Sequence, residues 1–286
     1  MLSNKVNEIM STELIMAEAT RSIFEVMQLM VENDVGRIVI AENHSPAGIF
    51  TETDVLRRVV SKNLDSKKTP VKKVMTAPIQ SVPQDTHLVE ALGKMYKGKF
   101  RLLPVVNAEG TLVGIVSMRR ILQLAVEAGR GLAETRTVGS IMSRHVTAVD
   151  TAASISDVIA LMIKKNTVSA VVLSQGAPVG IFTERDVLTR VAVKDVDGKR
   201  TPVANVMTGK LISASDKALV GEVLEKMYRG DFRNMPIRGD KGELVGIVSM
   251  ADVLKFARAL DVDETVRRSW REIEEFWDSE DQYTPG

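Results

Sequence analysis

Apolar and polar positions follow one pattern that repeats four times along the chain. In the first copy, an apolar stretch at 14–17 precedes apolar residues at helical spacing within 20–33. Two further apolar runs, at 35–41 and 48–50, precede an amphipathic segment that ends near residue 60. Short β-branched runs are typical of buried strands, whereas a 3.6-residue period indicates a helix. We therefore predict the order strand, helix, strand, strand, helix in every copy, and an α/β (α+β) fold class.

A glycine that opens the last strand of each copy gives the period of the pattern. These glycines are Gly48, Gly114, Gly180 and Gly246, each 66 residues after the one before. A longer offset of 132 residues is also present, because the segment 95–101 returns at 227–233 with its Met, Tyr, Phe and Arg retained. A fixed period indicates a repeat architecture, and the longer offset indicates duplication of a two-repeat module.

The repeats divide the 286-residue chain into five segments. Repeats one to four occupy 1–66, 67–130, 131–198 and 199–260, and a C-terminal tail occupies 261–286. One repeat has too little apolar surface to be stable alone. We therefore expect two consecutive repeats, called a module here, to be the folding unit.

The tail carries both tryptophans of the chain on one face of a predicted amphipathic helix. Val266, Trp270, Ile273 and Trp277 are spaced by four, three and four residues, as one helical face requires. Because an exposed stripe with two tryptophans invites aggregation, we expect the helix to dock on its own module or across a homodimer. Presentation of the helix to the groove of a partner protein is the alternative.

Composition excludes several classes of function. The 38 basic and 37 acidic residues nearly cancel, which argues against nucleic acid or an anionic membrane as the main partner. The absence of cysteine excludes thiolate metal sites and cysteine nucleophiles. The three histidines are isolated, and no phosphate loop or nucleophile motif occurs. Without a membrane-length apolar run or a signal-peptide core, we expect a cytoplasmic protein that has neither catalytic activity nor a metal.

A Ser/Thr-x-x-Asp motif begins the last predicted helix in three of the four repeats. The pairs are Thr51 with Asp54, Thr183 with Asp186, and Ser249 with Asp252. The hydroxyl and the unpaired N–H groups at a helix start can seat a phosphate, and the carboxylate one turn later can accept hydrogen bonds from a ribose diol. The same spacing describes a capping box, which is purely structural. Three intact copies at one period favour a ligand site and leave the capping box as the alternative.

Repeat two departs from this motif. Ser117 keeps the cap position, but Arg120 replaces the aspartate. An arginine in the first helical turn opposes the helix dipole. We therefore expect this copy to have lost both the capping box and the ligand for a diol, while Ser117 keeps the phosphate position.

Together these features resemble the CBS-domain family, which is named for cystathionine β-synthase. They comprise the predicted element order, the Gly-Ile-x-Ser/Thr-x-x-Asp motif, and a Met-Ser/Thr turn that opens each repeat at Met10, Met75, Met142 and Met207. The resemblance covers about residues 5–260. It implies that two repeats pack sheet to sheet into a module with two clefts. It also implies that two modules stack as a pseudo-fourfold disc, as in the gamma subunit of AMP-activated protein kinase.

The resemblance further implies a ligand and the residues that bind it. CBS clefts commonly bind adenine nucleotides such as AMP, ADP or ATP, and less often S-adenosylmethionine or NAD. By this resemblance the phosphates would contact Thr51, Ser117, Thr183 and Ser249, and ribose would contact Asp54, Asp186 and Asp252. Basic residues in or just before the middle strand would also point toward phosphates, with a solvated strand end as the alternative; these are Arg37, Arg101 and Arg233. Residues after each Met turn could flank the adenine, although core packing is the favoured interpretation; these are Leu14, Ile79, Val146 and Leu211.

We therefore expect a regulatory protein that binds an adenine nucleotide and controls an unidentified partner protein. A structural scaffold with vestigial clefts, acting through its C-terminal helix, is the alternative. Nucleic-acid binding is the least favoured reading of the composition.

Overall fold

The computed structural model describes residues 5–42, 45–98, 102–118, 120–121, 136–230, 232–250 and 252. The predicted helix after Ser117 is described only at its start, at residues 118, 120 and 121. The linker at 129–135 and the predicted tail helix lie outside the described residues.

Each repeat folds into one small three-stranded sheet and its helices. In every sheet the first strand pairs parallel with the second, and the second pairs antiparallel with the third. The strands are β1 (Met16–Glu18), β2 (Arg37–Glu42), β3 (Ser45–Thr51), β4 (Val82–Pro83), β5 (Leu102–Val106), β6 (Leu112–Ser117), β7 (Ala148–Asp150), β8 (Ser169–Ser174), β9 (Ala177–Thr183), β10 (Ala214–Ser215), β11 (Asn234–Arg238) and β12 (Leu244–Ser249).

A long helix joins the first and second strands of each sheet. These helices cover Ile23–Glu32, Leu88–Lys97, Ile155–Lys164 and Val220–Arg229. The first begins at Ser22, whose side chain forms a capping box with Glu25. Its residues at helical spacing, including Ile23, Val26 and Met30, are buried against the sheet. The predicted alternation of strands and helices is therefore confirmed.

The helix after the third strand contains a widened turn in repeats one and three. It begins as a short α-helix at Glu52–Asp54 and at Glu184–Asp186. It continues with π-helical hydrogen bonds over Val55–Val59 and Val187–Ala192. These two π-helical segments contact each other, so they form part of the boundary between repeats one and three.

The first strand of the repeat begins later than its apolar run predicts. The sequence indicates strands at 14–17 and 79–82, whereas the structure has β1 at Met16–Glu18 and β4 at Val82–Pro83. The preceding residues pair with a different repeat. The N–H of Ser11 donates to the carbonyl of Ile115 at 2.9 Å, and the N–H of Thr76 donates to the carbonyl of Ile49 at 2.8 Å.

The opening turn of each repeat also packs on the other repeat of its module. The N–H of Val6 donates to the carbonyl of Thr86 at 2.9 Å, and the N–H of Val71 donates to that of Arg21 at 2.8 Å. The second module repeats these bonds from Val138 to Ala218 and from Val203 to Ala153. A reciprocal exchange of N-terminal segments therefore holds each module together.

Two apolar cores join the two modules. One contains the buried side chains of repeats one and three, including Phe50 and Phe182. The other contains those of repeats two and four, including Met95 and Met227. The expectation that two consecutive repeats form the folding unit therefore explains the backbone bridges but not the cores. Each core needs one repeat from each module, because the helical runs after Thr51 and Thr183 face each other.

These contacts close the four repeats into a ring. Bridges join repeat one to two and repeat three to four, while the cores join one to three and two to four. The predicted pseudo-fourfold arrangement of four α/β repeats is thus confirmed. None of the described helices is long and apolar enough to cross a bilayer.

Candidate functional site

Two of the Ser/Thr-x-x-Asp motifs form closed capping boxes at buried helix starts. Oδ2 of Asp54 accepts hydrogen bonds from the backbone N–H of Thr51 at 2.9 Å and from its hydroxyl at 2.7 Å. Asp186 and Thr183 repeat both bonds at 2.8 Å. A capping box of this kind uses one carboxylate oxygen. The surroundings of the second oxygen therefore decide how readily the aspartate can also hold a ligand.

The second oxygen of these two aspartates is engaged by neighbouring side chains. Oδ1 of Asp54 accepts a hydrogen bond from the hydroxyl of Thr76 at 3.4 Å and lies 3.2 Å from the guanidinium of Arg58. The equivalent partners of Asp186 are Thr208 at 3.2 Å and Arg190 at 3.1 Å. Each threonine belongs to the Met-Thr turn of the following repeat. These carboxylates therefore also tie the two repeats of a module together.

Burial raises the pKa of the Asp54 and Asp186 carboxyls above the ordinary value of 3.8. The two residues are only 5% and 4% exposed, and the loss of water around the charged form is the largest effect. Hydrogen bonds from the capping threonines oppose this shift without cancelling it.

The raised pKa predicts how these carboxyls contribute to stability as the pH changes. Because the folded state binds their protons more tightly than the unfolded chain does, their contribution grows as the pH falls through the folded-state pKa and is lost as the pH rises. We expect the wild type to gain stability relative to the Asp54→Asn/Asp186→Asn variant between about pH 7 and about pH 4. Urea unfolding of both proteins across this range measures the difference, and a difference that shrinks on acidification would contradict the assignment.

The third motif has the same capping box but a less crowded carboxylate. Oδ2 of Asp252 accepts hydrogen bonds from the N–H of Ser249 at 2.7 Å and from its hydroxyl at 2.6 Å. Among the residues that the structure describes, Oδ1 of Asp252 has no hydrogen-bond or ion-pair partner. Position 256 is phenylalanine, where the other two motifs have an arginine four residues after the aspartate. Asp252 is partly exposed rather than buried, so this carboxylate is the one best placed to accept a diol.

The altered motif of repeat two retains only half of the capping interaction. Ser117 Oγ accepts a hydrogen bond from the backbone N–H of Arg120 at 3.2 Å. An arginine side chain cannot accept the return bonds that an aspartate makes. The predicted loss of the capping box in this repeat is therefore confirmed.

The candidate basic residues lie at the beginning of the middle strands. Arg37 is the first residue of β2 and pairs in register with Thr51. Arg233 directly precedes β11, and its carbonyl accepts a hydrogen bond from the N–H of Met250 at 3.0 Å, beside the Ser249 cap. Ser169 has the register of Arg37 in repeat three, as predicted. Arg101 lies outside the described residues.

The four apolar candidates are not core residues, which corrects the favoured interpretation of them. Leu14, Ile79, Val146 and Leu211 are each partly exposed. None belongs to either core cluster. The physical reason is that they follow the residues that bridge to the other repeat, before the buried strand begins. They therefore border the boundary between paired repeats, where they could contact a ligand.

The two repeated motifs, the glycine and the Met turn, are the two sides of one contact. A Cβ atom at Gly48 would lie 2.6 Å from the sulfur of Met75 and 2.9 Å from the carbonyl oxygen of Thr76. The same relation holds for Gly114 with Met10, Gly180 with Met207, and Gly246 with Met142. Sequence reasoning found both motifs but not their contact. Their shared 66-residue period was the available signal.

A buried acidic residue, Glu52, is the feature that sequence reasoning missed. It is 2% exposed and lies at the position after the Thr51 cap. Its Oε2 accepts a hydrogen bond from Arg233 of repeat four at 2.9 Å. Its Oε1 lies 3.4 Å from Nη1 of Arg185 of repeat three. Arg185 also pairs with Asp34 of repeat one, so three repeats meet at this carboxylate.

No group of three or more metal-ligating side chains occurs within the described part of the chain. The geometry consists instead of four helix starts at sheet edges, partly exposed apolar residues from the paired repeat, and arginines that cross between repeats. The CBS domain matches four stretches of the sequence, at residues 6–61, 71–127, 138–193 and 203–259. The chain belongs to the CBS-domain family. The predicted resemblance is thereby confirmed, and each match begins at the turn that packs on the neighbouring repeat.

Similar CBS proteins occur in plants and archaea. The chain is 30% identical over 279 residues to the CBS domain-containing protein CBSCBSPB1 of Arabidopsis thaliana, covering 84% of this chain and 51% of the relative. It is 34% identical over 125 residues to an uncharacterized Methanopyrus kandleri protein, covering 43% of this chain and 64% of that relative. The chain spans about half the length of the first plant relatives that it matches.

Solved structures show the same fold over most of the chain. A Methanocaldococcus jannaschii protein, described as a proposed archaeal homologue of g-AMPK, aligns with a TM-score of 0.74 at 20% identity. The alignment covers 88% of this chain and 99% of that protein. An uncharacterized conserved protein from Pyrococcus horikoshii aligns over the same shares with a TM-score of 0.60. At this identity the likeness shows the fold alone.

Proposed function

We propose that the protein is a non-catalytic regulatory protein that binds an adenine nucleotide in the clefts between paired repeats. The observation that carries this proposal is the Ser249–Asp252 helix start, where a partly exposed carboxylate has a free oxygen beside the backbone of Arg233. The third repeat brings Val146 toward the same boundary, because Ser143 bridges to Ile247 of β12.

These groups match the three parts of a nucleotide. A carboxylate oxygen without a partner can accept hydrogen bonds from the two hydroxyls of ribose. The helix start and the nearby guanidinium favour phosphate. Partly exposed apolar side chains can cover the faces of a purine. The family relation and the fold of the archaeal homologue support the same ligand class.

The three intact motifs differ in how readily they could take up ribose. Oδ1 of Asp54 and of Asp186 would first have to leave a threonine and an arginine, whereas Oδ1 of Asp252 would not. Exchanging two existing partners for a diol gains little net free energy. We therefore assign the highest affinity to the cleft at Asp252 and lower affinities to those at Asp54 and Asp186.

Regulation would follow from the shared cores. A ligand that bridges two repeats changes their relative packing, and each core transmits that change to the other module. The ligand alters affinity for a partner protein only if it binds the two arrangements with different affinity. The regulated partner would be recognised on a surface whose shape depends on this packing.

Asp252→Asn tests the proposed site with little disturbance of the fold. Asparagine keeps one oxygen for the Ser249 N–H but presents an amide donor in place of the second oxygen. We expect about a tenfold or larger loss of AMP, ADP or ATP affinity, because a buried polar contact to the ribose is lost and a donor faces the diol. Isothermal titration calorimetry of the nucleotide-stripped protein measures the effect.

Two matched variants make the result specific. Arg120→Ala alters the repeat that lacks the aspartate and should leave affinity within about twofold. Asp186→Asn changes an aspartate whose second oxygen is already engaged, and should weaken binding less than Asp252→Asn. Equal affinity in the wild type and in Asp252→Asn would remove the site assignment. Failure of the wild type to bind any of the three nucleotides would remove the function.

A structural role for the cleft at Asp186 is the second candidate. It is favoured by the complete set of partners around that carboxylate, which includes Thr208 from the following repeat. Under this alternative, Asp186→Ala lowers the unfolding midpoint without changing nucleotide binding.

A further inference from the structure

The Glu52 cluster joins three repeats through one buried carboxylate. We define this cluster as Glu52, Arg185, Arg233 and Asp34. The carboxylate of Glu52 is 2% exposed, whereas the side chains of Arg185 and Arg233 are 37% and 33% exposed. Gly36 leaves room for the cluster, because a Cβ there would lie 2.9 Å from both Nη2 of Arg233 and Oε1 of Glu52. The acid is therefore enclosed while the two guanidinium groups still reach solvent.

The sequence places acids and bases of this cluster in alternate repeats. The residue after the cap is Glu52, Met118, Glu184 and Met250 in repeats one to four. The residue before the middle strand is Gly36, Arg101, Val168 and Arg233. Odd repeats therefore supply the acid and even repeats supply the base. The observed pair, Glu52 with Arg233, connects the first repeat with the fourth, which are opposite each other in the ring.

The partners of Glu52 make it costly to remove and its arginines easy to reach. A buried carboxylate without a counter-ion is strongly unfavourable, so Glu52 needs at least one guanidinium. A guanidinium has five N–H donors and binds phosphate in the same geometry as carboxylate. The carbonyl of Arg233 is bonded to Met250, next to the Ser249 cap. The Arg233 backbone therefore lies at the proposed Asp252 cleft while its side chain reaches Glu52.

We propose that Glu52 is an internal competitor for the phosphates of the nucleotide and sets how many phosphates the central site accepts. This inference rests on the proposed function. A phosphate near Arg185 and Arg233 must share or replace the Glu52 carboxylate on the same donors. The negative charge of Glu52 repels each added phosphate charge, so it disfavours ATP more than AMP.

The same competition couples the repeats. When a phosphate withdraws Arg233, Glu52 of repeat one loses its closest contact with repeat four and depends on Arg185 of repeat three. Binding in one cleft therefore changes the contacts between opposite repeats at the centre of the ring. Glu52 is in this sense a specificity-determining residue that never needs to touch the ribose or the base.

Glu52→Gln tests the competition because glutamine keeps the size and an acceptor oxygen but removes the charge. We expect ATP affinity to rise about tenfold and AMP affinity to rise less, so that the ratio of the two shifts toward ATP. Glu32→Gln removes the same charge from an exposed position at the end of the Ile23–Glu32 helix and should change neither affinity. Calorimetry with AMP, ATP and inorganic tripolyphosphate on all three proteins measures the effect.

A double-mutant cycle shows whether the gain passes through Arg233. In an Arg233→Gln background, Glu52→Gln should raise ATP affinity by less than about threefold, because the competed donor is gone. Thermal melts check that each variant is folded. If the wild type binds nucleotide and Glu52→Gln leaves the ATP to AMP ratio unchanged, the inference fails and the proposed function stands. If no variant binds a nucleotide but Glu52→Gln gains tripolyphosphate binding, the proposed function fails and the competition stands. Absence of all binding in every variant overturns both.

Discussion

Replacing Phe182 with alanine should lower the free energy of unfolding by about 3–5 kcal/mol, the range observed for large aromatic side chains in close-packed cores. Phe182 is 0% exposed on β9 of repeat three. It belongs to the core that also contains Phe50 of repeat one. The cavity would therefore open inside the apolar layer that joins the two modules, where neighbouring helices from both sides would have to move together to fill it.

Urea unfolding of Phe182→Ala, followed by circular dichroism, measures the loss. Phe24→Ala is the matched control, because Phe24 is only partly buried and packs at the edge of the same core. It should cost clearly less than Phe182→Ala. Hydrogen exchange should further show that amides of β2 in repeat one lose protection along with those of β9. Loss of protection confined to the second module would contradict a core shared by repeats one and three.

The local order of elements was predictable because periodicity reports local structure. The segment 155–164 has buried residues at helical spacing and begins at Ser154, so both its type and its start follow from the sequence. The sheets were equally accessible, since β5 at Leu102–Val106 coincides with the predicted strand. The pairing of cores across modules was not accessible, because an apolar face shows that a helix is buried but not which repeat covers it.

The site shows the same division between local and long-range information. The capping box at Thr183 and Asp186 was visible as a three-residue spacing, and the structure forms it. Its outer contacts with Thr208 and Arg190 depend on how the next repeat folds back, which no spacing encodes. Glu52 was missed for a related reason. Its partner Arg233 is 181 residues away, and only the alternation of acid and base among repeats hints at the pair.

The contact between glycine and methionine predicts the second large effect on stability. A Cβ atom at Gly180 would meet the sulfur of Met207 and would lie 3.0 Å from the carbonyl oxygen of Thr208. The thioether can move, but the carbonyl accepts the backbone N–H of Ile181 at 3.0 Å and is held in place. We expect Gly180→Ala to lower the free energy of unfolding by about 1–3 kcal/mol, the usual cost of overpacking.

Gly209→Ala is the matched control for this effect, because a Cβ there would meet nothing within 4 Å. It should be neutral or stabilise the protein by up to about 1 kcal/mol through the unfolded state. Adding Met207→Ala to Gly180→Ala should cost less than the sum of the two single changes, since the smaller side chain relieves the overlap with the new methyl group. Strict additivity in urea unfolding would mean that residues 180 and 207 do not meet, and that the glycine recurs every 66 residues for a reason other than this contact.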